Sequence, residues 1–216
     1  MTNSLFEDHF HSPWNETLEN GIVLLHRFAS NAETTLLAAI EEISTQAPFR
    51  HMQTPGGKRM SAANTSCGSY GWISDTHGYR YSEIDIVSGR RWPQMPACFQ
   101  QLATSAAKLA GYPDFQADSC LINCYQVGTR LSLHQDIDEK DFQQPIVSVS
   151  LGMPATFLLG GMQREDKKRH LLLEHGDVLV WGGVARKIFH GIAPLKNHPH
   201  PLLASQRINL TFRRAR

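Results

Sequence analysis

From Ser119 to the C-terminus, the chain consists of short apolar runs separated by glycine, proline and charged residues. The runs are rich in leucine and β-branched residues, and none shows a helix-length period. They read CLINCYQ, PIVSVSLG, ATFLLGG, RHLLLEH, GDVLVWGG and RINLTFRR. Many short strands with frequent turn signals are typical of a β-sandwich or barrel. The pattern therefore predicts a β core over about residues 118–214.

Two helices are predicted in the N-terminal part, so we expect a mainly β protein of the α+β class. The first helix follows a strand candidate at residues 21–29 and begins near Ser30, which forms a capping box with Glu33. The second covers about residues 96–110 and ends at Gly111. The apolar stripes are Leu36, Leu37, Ile40 and Ile43 in the first helix, and Phe99, Leu102, Ala103, Ala106 and Leu109 in the second.

Composition limits the classes of protein to which this chain can belong. Its 216 residues, 41% apolar and 19% charged, suit a single globular domain over residues 1–216. The net charge of +1 means that an anionic partner must be bound by a local basic patch. No apolar run approaches the roughly 18 residues of a membrane span, and the N-terminus lacks the order of a signal peptide. We therefore expect a cytoplasmic protein, and the absence of a CxxC pair among its four cysteines fits that compartment.

The segment between the two helices, residues 46–92, is rich in glycine, serine and aromatic residues. It carries six Lys/Arg against three Asp/Glu, a local charge of +3. Short strands in long loops are expected here. Basic side chains among aromatic rings suit phosphate contact and base stacking. A loop layer whose rings pack on the core would have the same composition, so the segment alone does not choose between the two.

The stretch RLSLHQDIDEKD contains a possible metal site. His134 and Asp136 are two residues apart, so on a strand or at its end both side chains point to one face. A facial triad needs one more histidine from elsewhere in the fold. His190, in KIFHGIAPL, is the best candidate, because its apolar flanks suggest a barrel interior. His175 is the main rival. His170 lies in a cationic run and is expected to be solvated. Arg130 and the trailing residues 139–141, which include Glu139, are interpreted as solvated charge.

Two strands in the C-terminal half present alternating polar faces. In RINLTFR the polar face carries the following side chains: Arg207, Asn209, Thr211 and Arg213. In CLINCYQ, Asn123 and Tyr125 share a face with Leu121. Arginine is the preferred partner of a carboxylate because its donors form a fixed fork. The faces could line a pocket for a small carboxylate ligand, or they could be ordinary solvent-facing strand surfaces.

As a set, the motifs of this chain resemble the AlkB family of iron(II)- and 2-oxoglutarate-dependent DNA-repair dioxygenases. The matching stretches include QTPGGKRMS, GYPDFQ, LSLHQD, PIVSVSLG, LLLEHGDV and HGI, and the resemblance runs from about Trp14 to Arg213. It implies a double-stranded β-helix, or jelly roll, with N-terminal helices and a nucleotide-recognition lid at about residues 49–92. It also implies Fe(II) and O2 as cofactors, with 2-oxoglutarate as co-substrate.

The resemblance assigns roles to individual residues. The iron ligands, and hence the catalytic residues, would be His134, Asp136 and His190. The 2-oxoglutarate carboxylates would be bound by Arg207 and Arg213, in a pocket completed by Asn123, Tyr125 and Asn209. Substrate contacts would come from Trp72, which would stack on the damaged base, and from Tyr79, Tyr81, Asp138 and Arg164. The chain departs from the family pattern at Asn64, Cys124, Ile137 and Ile208, none of which is among these residues.

The implied function is oxidative demethylation of N-alkylated bases, such as 1-methyladenine and 3-methylcytosine, with release of succinate, CO2 and formaldehyde. The expected partner is single-stranded DNA, bound by a monomer, with RNA and double-stranded DNA as alternative substrates. Two other hypotheses remain: an oxygenase of the same kind that acts on RNA modifications, a protein or a small molecule, and a non-catalytic nucleic-acid binder with structural histidines.

Overall fold

The computed structural model describes residues 12–19 and 21–216. The N-terminus was predicted not to be a signal peptide, and most of that stretch lies outside the described residues. No described helix is long and apolar enough to cross a membrane. The two longest helices are α1, Glu33–Gln46, and α2, Ala97–Leu109, close to their predicted positions.

Two sheets form most of the fold. The larger has the strand order β1-β2-β11-β8-β13-β6-β3. Its strands are β1 (Trp14–Glu19), β2 (Ile22–His26), β3 (Ala63–Gly68), β6 (Ser119–Gln126), β8 (Ile146–Gly152), β11 (Val178–Trp181) and β13 (Gln206–Arg213). The smaller has the order β10-β9-β12-β7. Its strands are β7 (Leu131–His134), β9 (Ala155–Leu159), β10 (Arg169–Leu173) and β12 (His190–Ile192). Neighbouring strands in both sheets are antiparallel.

The two sheets pack face to face, which confirms the predicted jelly roll. One buried cluster joins Leu179 and Trp181 of the larger sheet to Phe157, Leu159 and Leu171 of the smaller. Alternate side chains of each strand point into this interior. The central strands β8 and β11 are buried at every position, because their other face also packs in the core.

The helices cover the outer face of the larger sheet. Three of the four predicted stripe residues of α1 are buried: Leu36, Ile40 and Ile43. In α2, Phe99 packs edge-on against Phe212 of β13 at a centroid distance of 5.7 Å. Leu109, which was expected in the α2 stripe, is 58% exposed because it lies in the last turn of the helix, past the edge of the contact.

The predicted capping box at the start of α1 is wrong. Ser30 belongs to a separate 3₁₀ turn, and α1 begins only at Glu33 with no side-chain cap. The Glu33 carboxylate instead lies 2.7 Å from His175 Nε2, so it links the helix to the loop before β11. A tertiary hydrogen bond has replaced the local hydrogen bond that the sequence pattern indicated.

A third, two-stranded sheet lies within the aromatic and basic segment. It is the hairpin of β4 (Gly71–Asp75) and β5 (Gly78–Ser82), and β4 packs against β3 and β6. The two interpretations of this segment, rings packed on the core and rings exposed to a ligand, each apply to some of its rings. Trp92 is 4% exposed and belongs to the core, whereas Tyr79 is 48% exposed on the hairpin surface.

Candidate active site

Backbone pairing brings the predicted metal ligands together. His134 ends β7 and His190 begins β12, and the two residues are direct cross-strand partners. Asp136 follows two residues after β7. Its Oδ1 lies 3.6 Å from His134 Nε2, and its Oδ2 lies 3.8 Å from His190 Nε2. One potential ligand atom from each residue lies within 4.8 Å of the others, a spacing that one metal ion can bridge.

Backbone carbonyl groups orient the two imidazole rings. His134 Nδ1 lies 2.9 Å from the carbonyl of Ser132, and His190 Nδ1 lies 3.1 Å from the carbonyl of Ile188. In the tautomer that carries its proton on Nδ1 and donates to these oxygens, each Nε2 lies on the side of Asp136 and is available to a metal ion. Metal-binding histidines are commonly held in one tautomer by such hydrogen bonds.

The two histidines differ in protonation. Burial, together with the charge of His134, lowers the pKa of His190 to about 4. Its ring packs against Phe157 and Trp181, at centroid distances of 5.7 Å and 5.1 Å. Burial also acts to lower the pKa of His134, but the hydrogen bond and the charge of Asp136, together with the Ser132 carbonyl, outweigh burial and raise the pKa above its ordinary value. His190 is therefore neutral at physiological pH, whereas His134 holds a proton more strongly and would have to release it before binding a metal ion.

A deeply buried arginine lies on the inner face of the larger sheet. Arg207 is 1% exposed and faces Tyr125 across β13 and β6, with its guanidinium 5.2 Å from the Tyr125 ring centre. Its Nη2 donates to Ser150 Oγ at 3.0 Å, but Nε and Nη1 have no hydrogen-bond partner among the described residues. A buried cation with unpaired donors is costly, so this position suits an anionic ligand. A free guanidinium donor of this kind suits a carboxylate group.

The neighbouring pocket residues are only partly available to a ligand. The Asn209 Nδ2 donates to Ser148 Oγ and the Val149 carbonyl, at 2.8 Å and 2.9 Å, and its Oδ1 accepts from Thr211 Oγ1 at 2.9 Å. Its amide therefore holds the inner face of β8 and β13 in place. Asn123 is its direct partner on β6 and is 7% exposed, so it lines the same face.

The second predicted carboxylate ligand, Arg213, contacts Asp136 in this structure. Its Nε and Nη2 both donate to Asp136 Oδ2, at 3.0 Å and 2.7 Å. Burial alone would raise the pKa of Asp136, but the charge of Arg213 together with His134 and His190 outweighs burial and keeps the pKa well below the usual range. Because both donors use one oxygen, the other oxygen remains directed at His134. Arg213 thus lies at the metal end of the pocket and Arg207 at the far end.

The β4–β5 hairpin is connected to the loop that carries the metal ligands. The rings of Trp72 and Tyr79 are stacked, with centroids 5.5 Å apart and planes 13° apart. Trp72 Nε1 donates to Asp138 Oδ2 at 2.8 Å. Asp138 lies two residues after Asp136, so the hairpin surface and the candidate metal site adjoin.

The two other predicted nucleotide contacts lie in different environments. Tyr81 is 6% exposed, and its hydroxyl donates to Glu139 Oε1 at 2.6 Å, so it faces the interior. Arg164 is exposed, and its guanidinium lies 5.0 Å from the ring centre of Phe189, the residue before His190. Arg164 is therefore accessible to solvent, beside the residue that precedes His190.

The interpretation of Glu139 as solvated charge is wrong. Glu139 is 5% exposed, and its Oε2 accepts from Arg186 Nη2 at 3.0 Å. Arg186, which was not predicted as a site residue, is 3% exposed and also donates from Nη1 to the backbone carbonyl of Asp136 at 2.9 Å. The acidic run looked solvated because the arginines that compensate Glu139 lie far away in the sequence.

The rival histidines are engaged elsewhere. His175 contacts Glu33 through Nε2, and its Nδ1 accepts from the Gly152 amide at 2.9 Å. His170 is exposed. Within residues 12–19 and 21–216, the cluster of His134, Asp136 and His190 is the one group of this kind that could hold a metal ion.

Comparison with known proteins agrees with this site. Residues 21–213 match the family model of the 2OG-Fe(II) oxygenase superfamily. The chain is 55% identical to the alpha-ketoglutarate-dependent dioxygenase AlkB of Escherichia coli, over 94% of each chain. It belongs to the AlkB family.

Further relatives support the AlkB assignment over nearly the whole chain. The AlkB of Salmonella typhimurium is 51% identical, over 98% of this chain and 97% of that protein. The solved structure of OsALKBH1 superposes with a TM-score of 0.83 at 28% identity, covering 93% of this chain and all of that one. The resemblance drawn from the motifs is thereby confirmed, and the chain is an Fe(II)- and 2-oxoglutarate-dependent dioxygenase.

Proposed function

We propose that this enzyme demethylates N-alkylated bases, of the 1-methyladenine and 3-methylcytosine type, in single-stranded DNA. The main supporting observation is the position of the stacked Trp72–Tyr79 pair. Trp72 donates a hydrogen bond to Asp138, which lies on the loop that carries Asp136. A surface suited to a base therefore adjoins a site suited to iron. We further propose one domain over residues 1–216, with a lid at about 49–92 and a jelly-roll core at about 118–214.

In this proposal His134, Asp136 and His190 hold the iron. Two imidazoles and one carboxylate occupy one side of the ion and leave its other positions open. The Nδ1 hydrogen bonds keep the rings oriented, and Arg213 keeps Asp136 ionised. Bound iron would supply the oxidising power from O2 and 2-oxoglutarate: 2-oxoglutarate would lose CO2 and take up one oxygen atom to become succinate, and the other oxygen atom would oxidise the methyl carbon, which leaves as formaldehyde.

The residues on the inner face of the larger sheet bind 2-oxoglutarate in this proposal. Arg207 receives the distal carboxylate through its two free donors, and Tyr125 forms the wall beneath that guanidinium. Asn123 and Asn209 line the middle of the pocket, and Arg213 lies at the metal end. The arrangement orients the co-substrate along the strand direction, with one end directed to the metal ligands.

The hairpin and the acidic loop recognise the base in this proposal. Trp72 provides a stacking surface, which is worth about 1–3 kcal/mol per base. Asp138 accepts from the exocyclic amine of the base through the carboxylate oxygen that Trp72 leaves free. Tyr79 and Arg164 contact the strand, and Tyr81 acts from the interior by supporting the loop.

Single-stranded DNA is the proposed substrate because the base must leave a stacked duplex to reach a buried metal. Extrusion costs a few kcal/mol in a duplex and least where pairing is already lost. The net charge of +1 provides little long-range attraction for a duplex, so the local charge of the segment around the hairpin must suffice. We propose that the enzyme works as a monomer in the cytoplasm, where its cysteines remain free thiols.

An assay with defined substrates tests the proposal. The purified enzyme would receive Fe(II), ascorbate, 2-oxoglutarate and a single-stranded oligonucleotide with one 1-methyladenine or 3-methylcytosine. Mass spectrometry should show loss of one methyl group, with formaldehyde and succinate in equal amounts. A matched duplex and a matched RNA strand should react more slowly.

Other outcomes would identify the alternatives. Faster reaction on the RNA strand would replace DNA with RNA as the substrate. Succinate formation without demethylation of any oligonucleotide would contradict a nucleic-acid substrate. Absence of both iron binding and 2-oxoglutarate turnover would contradict both hypotheses in which the protein acts as an oxygenase.

A further inference from the structure

A buried charge network lies between the hairpin and the metal carboxylate, and the catalytic scheme above does not use its central residue. Glu139 accepts from Tyr81 of the hairpin through Oε1 and from Arg186 through Oε2, at 2.6 Å and 3.0 Å. Its Oε1 also lies 3.4 Å from Arg213 Nε. Glu139 therefore contacts the hairpin on one side and both arginines around Asp136 on the other. We refer to Glu139, Tyr81, Arg186, Arg213 and Asp136 as the Glu139 network.

Every member of the Glu139 network is shielded from water. The exposed fractions are 5% for Glu139, 6% for Tyr81, 3% for Arg186, 6% for Arg213 and 8% for Asp136. Two carboxylates and two guanidiniums balance, which is the condition under which buried charges are tolerated. Because the pairs are desolvated, removal of one partner leaves an uncompensated charge, and the geometry of the remainder must change.

The Glu139 network determines which oxygen of Asp136 is available to a metal ion. Arg213 uses Asp136 Oδ2 for both of its hydrogen bonds and leaves Oδ1 directed at His134. Glu139 attracts the Nε side of the same guanidinium, which opposes its rotation toward Oδ1. Arg186 joins Glu139 to the backbone carbonyl of Asp136, so the side chain and the main chain of the ligand are held by one anion.

We propose that Glu139 is a positioning residue that couples the seating of the β4–β5 hairpin to the geometry of Asp136. With the hairpin seated, the Tyr81 hydroxyl fixes Glu139, and Glu139 fixes Arg213 and Arg186. With the hairpin displaced, Glu139 loses one donor, and the constraint on Arg213 weakens. Oxidation of 2-oxoglutarate is then coupled to demethylation only when the base-binding hairpin is in place. This inference rests on the proposed roles of Asp136 as ligand and of the hairpin as base-binding surface.

Two variants with matched controls test the proposal. Glu139→Gln keeps the shape but removes the charge, and Tyr81→Phe removes only the hydroxyl. Glu42→Gln, on the exposed face of α1, controls for the first change. Tyr70→Phe controls for the second, because Tyr70 and Tyr81 both lie against Arg216 and Tyr70 is not part of the Glu139 network. Thermal denaturation establishes that each variant is folded.

The first measurement is metal binding, by titration of the purified proteins with Mn(II) in the absence of turnover. Loss of a residue that orients a metal ligand typically lowers metal affinity or activity by about 10–100-fold. Glu139→Gln should lower Mn(II) affinity by about tenfold or more, while Glu42→Gln should bind as the wild type does. Wild-type Mn(II) affinity in folded Glu139→Gln would overturn the link between Glu139 and Asp136.

The second measurement is the ratio of succinate to formaldehyde during turnover with methylated single-stranded oligonucleotide. Tyr81→Phe should raise this ratio several-fold above that of the wild type and Tyr70→Phe, because 2-oxoglutarate is consumed without demethylation. An unchanged ratio would overturn the coupling to the hairpin. If Glu139→Gln does not fold, the ratio for Tyr81→Phe decides the coupling alone.

Failure of this proposal differs from failure of the proposed function. If the wild type consumes 2-oxoglutarate but does not demethylate the oligonucleotide, the substrate assignment fails, and the Mn(II) titration still tests Glu139. If the wild type demethylates normally and both folded variants match it in Mn(II) affinity and in product ratio, the positioning role alone is refuted.

Discussion

His134 and His190 are direct cross-strand partners on β7 and β12, with ring centroids 4.4 Å apart. Two metal ligands from distant parts of the chain are therefore positioned by the backbone hydrogen bonds of one sheet. A site built in this way is preorganised, because the ladder that fixes the ligands also holds the smaller sheet together. The ligand separation does not depend on a flexible loop.

Loss of one imidazole from this pair should abolish metal binding and activity. We expect His134→Ala to show no detectable demethylation and to lose Mn(II) affinity, since two protein ligands remain of three. Isothermal titration and the formaldehyde assay measure both effects. His170→Ala, at an exposed histidine outside the site, should behave as the wild type. Full activity in His134→Ala would refute its role as ligand.

Arg207 should dominate the affinity for 2-oxoglutarate. Its two unpaired donors are buried. Removal of the Arg207 guanidinium would leave the 2-oxoglutarate carboxylate without its buried partner, so co-substrate binding should weaken by about 2–5 kcal/mol. Titration of 2-oxoglutarate into the Mn(II)-loaded Arg207→Met variant measures the loss, and Mn(II) affinity itself should remain close to that of the wild type. Arg130→Lys, at an exposed position, serves as the control. Unchanged 2-oxoglutarate affinity in Arg207→Met would place the carboxylate elsewhere.

Trp72 should contribute to substrate affinity more than to metal affinity. Removal of its ring in Trp72→Ala should weaken binding of a methylated single-stranded oligonucleotide by about 1–3 kcal/mol, the worth of one stacked base. Fluorescence anisotropy with the Mn(II)-loaded enzyme reports this loss. Trp14→Phe, at a ring that is 56% exposed on β1, should bind normally. A larger loss in Mn(II) affinity than in oligonucleotide affinity would show that the hairpin supports the metal site rather than the base.

Metal affinity should depend on pH through His134. The pKa of His134 is raised above 6.5, while that of His190 is lowered to about 4. A protonated imidazole cannot bind metal, so Mn(II) affinity should be constant at pH values above the raised pKa and should fall as the pH drops through it. Protons compete with the metal ion for His190 only in acid solution, because its pKa is about 4. Titration in buffers of different ionisation enthalpy should detect release of up to about one proton per metal ion near neutral pH. An affinity that stays constant from alkaline to mildly acidic pH would contradict this assignment.

Several features of the site could be predicted because they depend on local periodicity. The alternation in β13 identified Arg207, Asn209 and Arg213 as one face, and the structure places that face inside the jelly roll. The two-residue spacing of His134 and Asp136 likewise indicated a common face. Strand geometry determines the face of β13, since successive side chains point to opposite sides. Asp136 lies beyond the end of β7, and its contact with Arg213 helps to hold it beside His134.

Other features depended on partners that lie far away in the sequence. The sequence left open whether β13 was an edge strand with a solvated face, and pairing with both β6 and β8 decided that it is central. Glu33 was assigned to a capping box, yet it contacts His175. Glu139 was interpreted as solvated charge, although two arginines from other elements surround it.

The sequence by itself determined the short-strand architecture, the polar face of β13 and the pairing of His134 with Asp136, because each follows from the period of an extended chain. Only the tertiary structure decided that His190 completes the metal site, that Arg207 keeps two unpaired donors, and that Glu139 connects the hairpin to Asp136. These outcomes depend on which strands become neighbours and on which charges share a region without water. Burial and cross-strand register are properties of the assembled fold, and no local pattern encodes them.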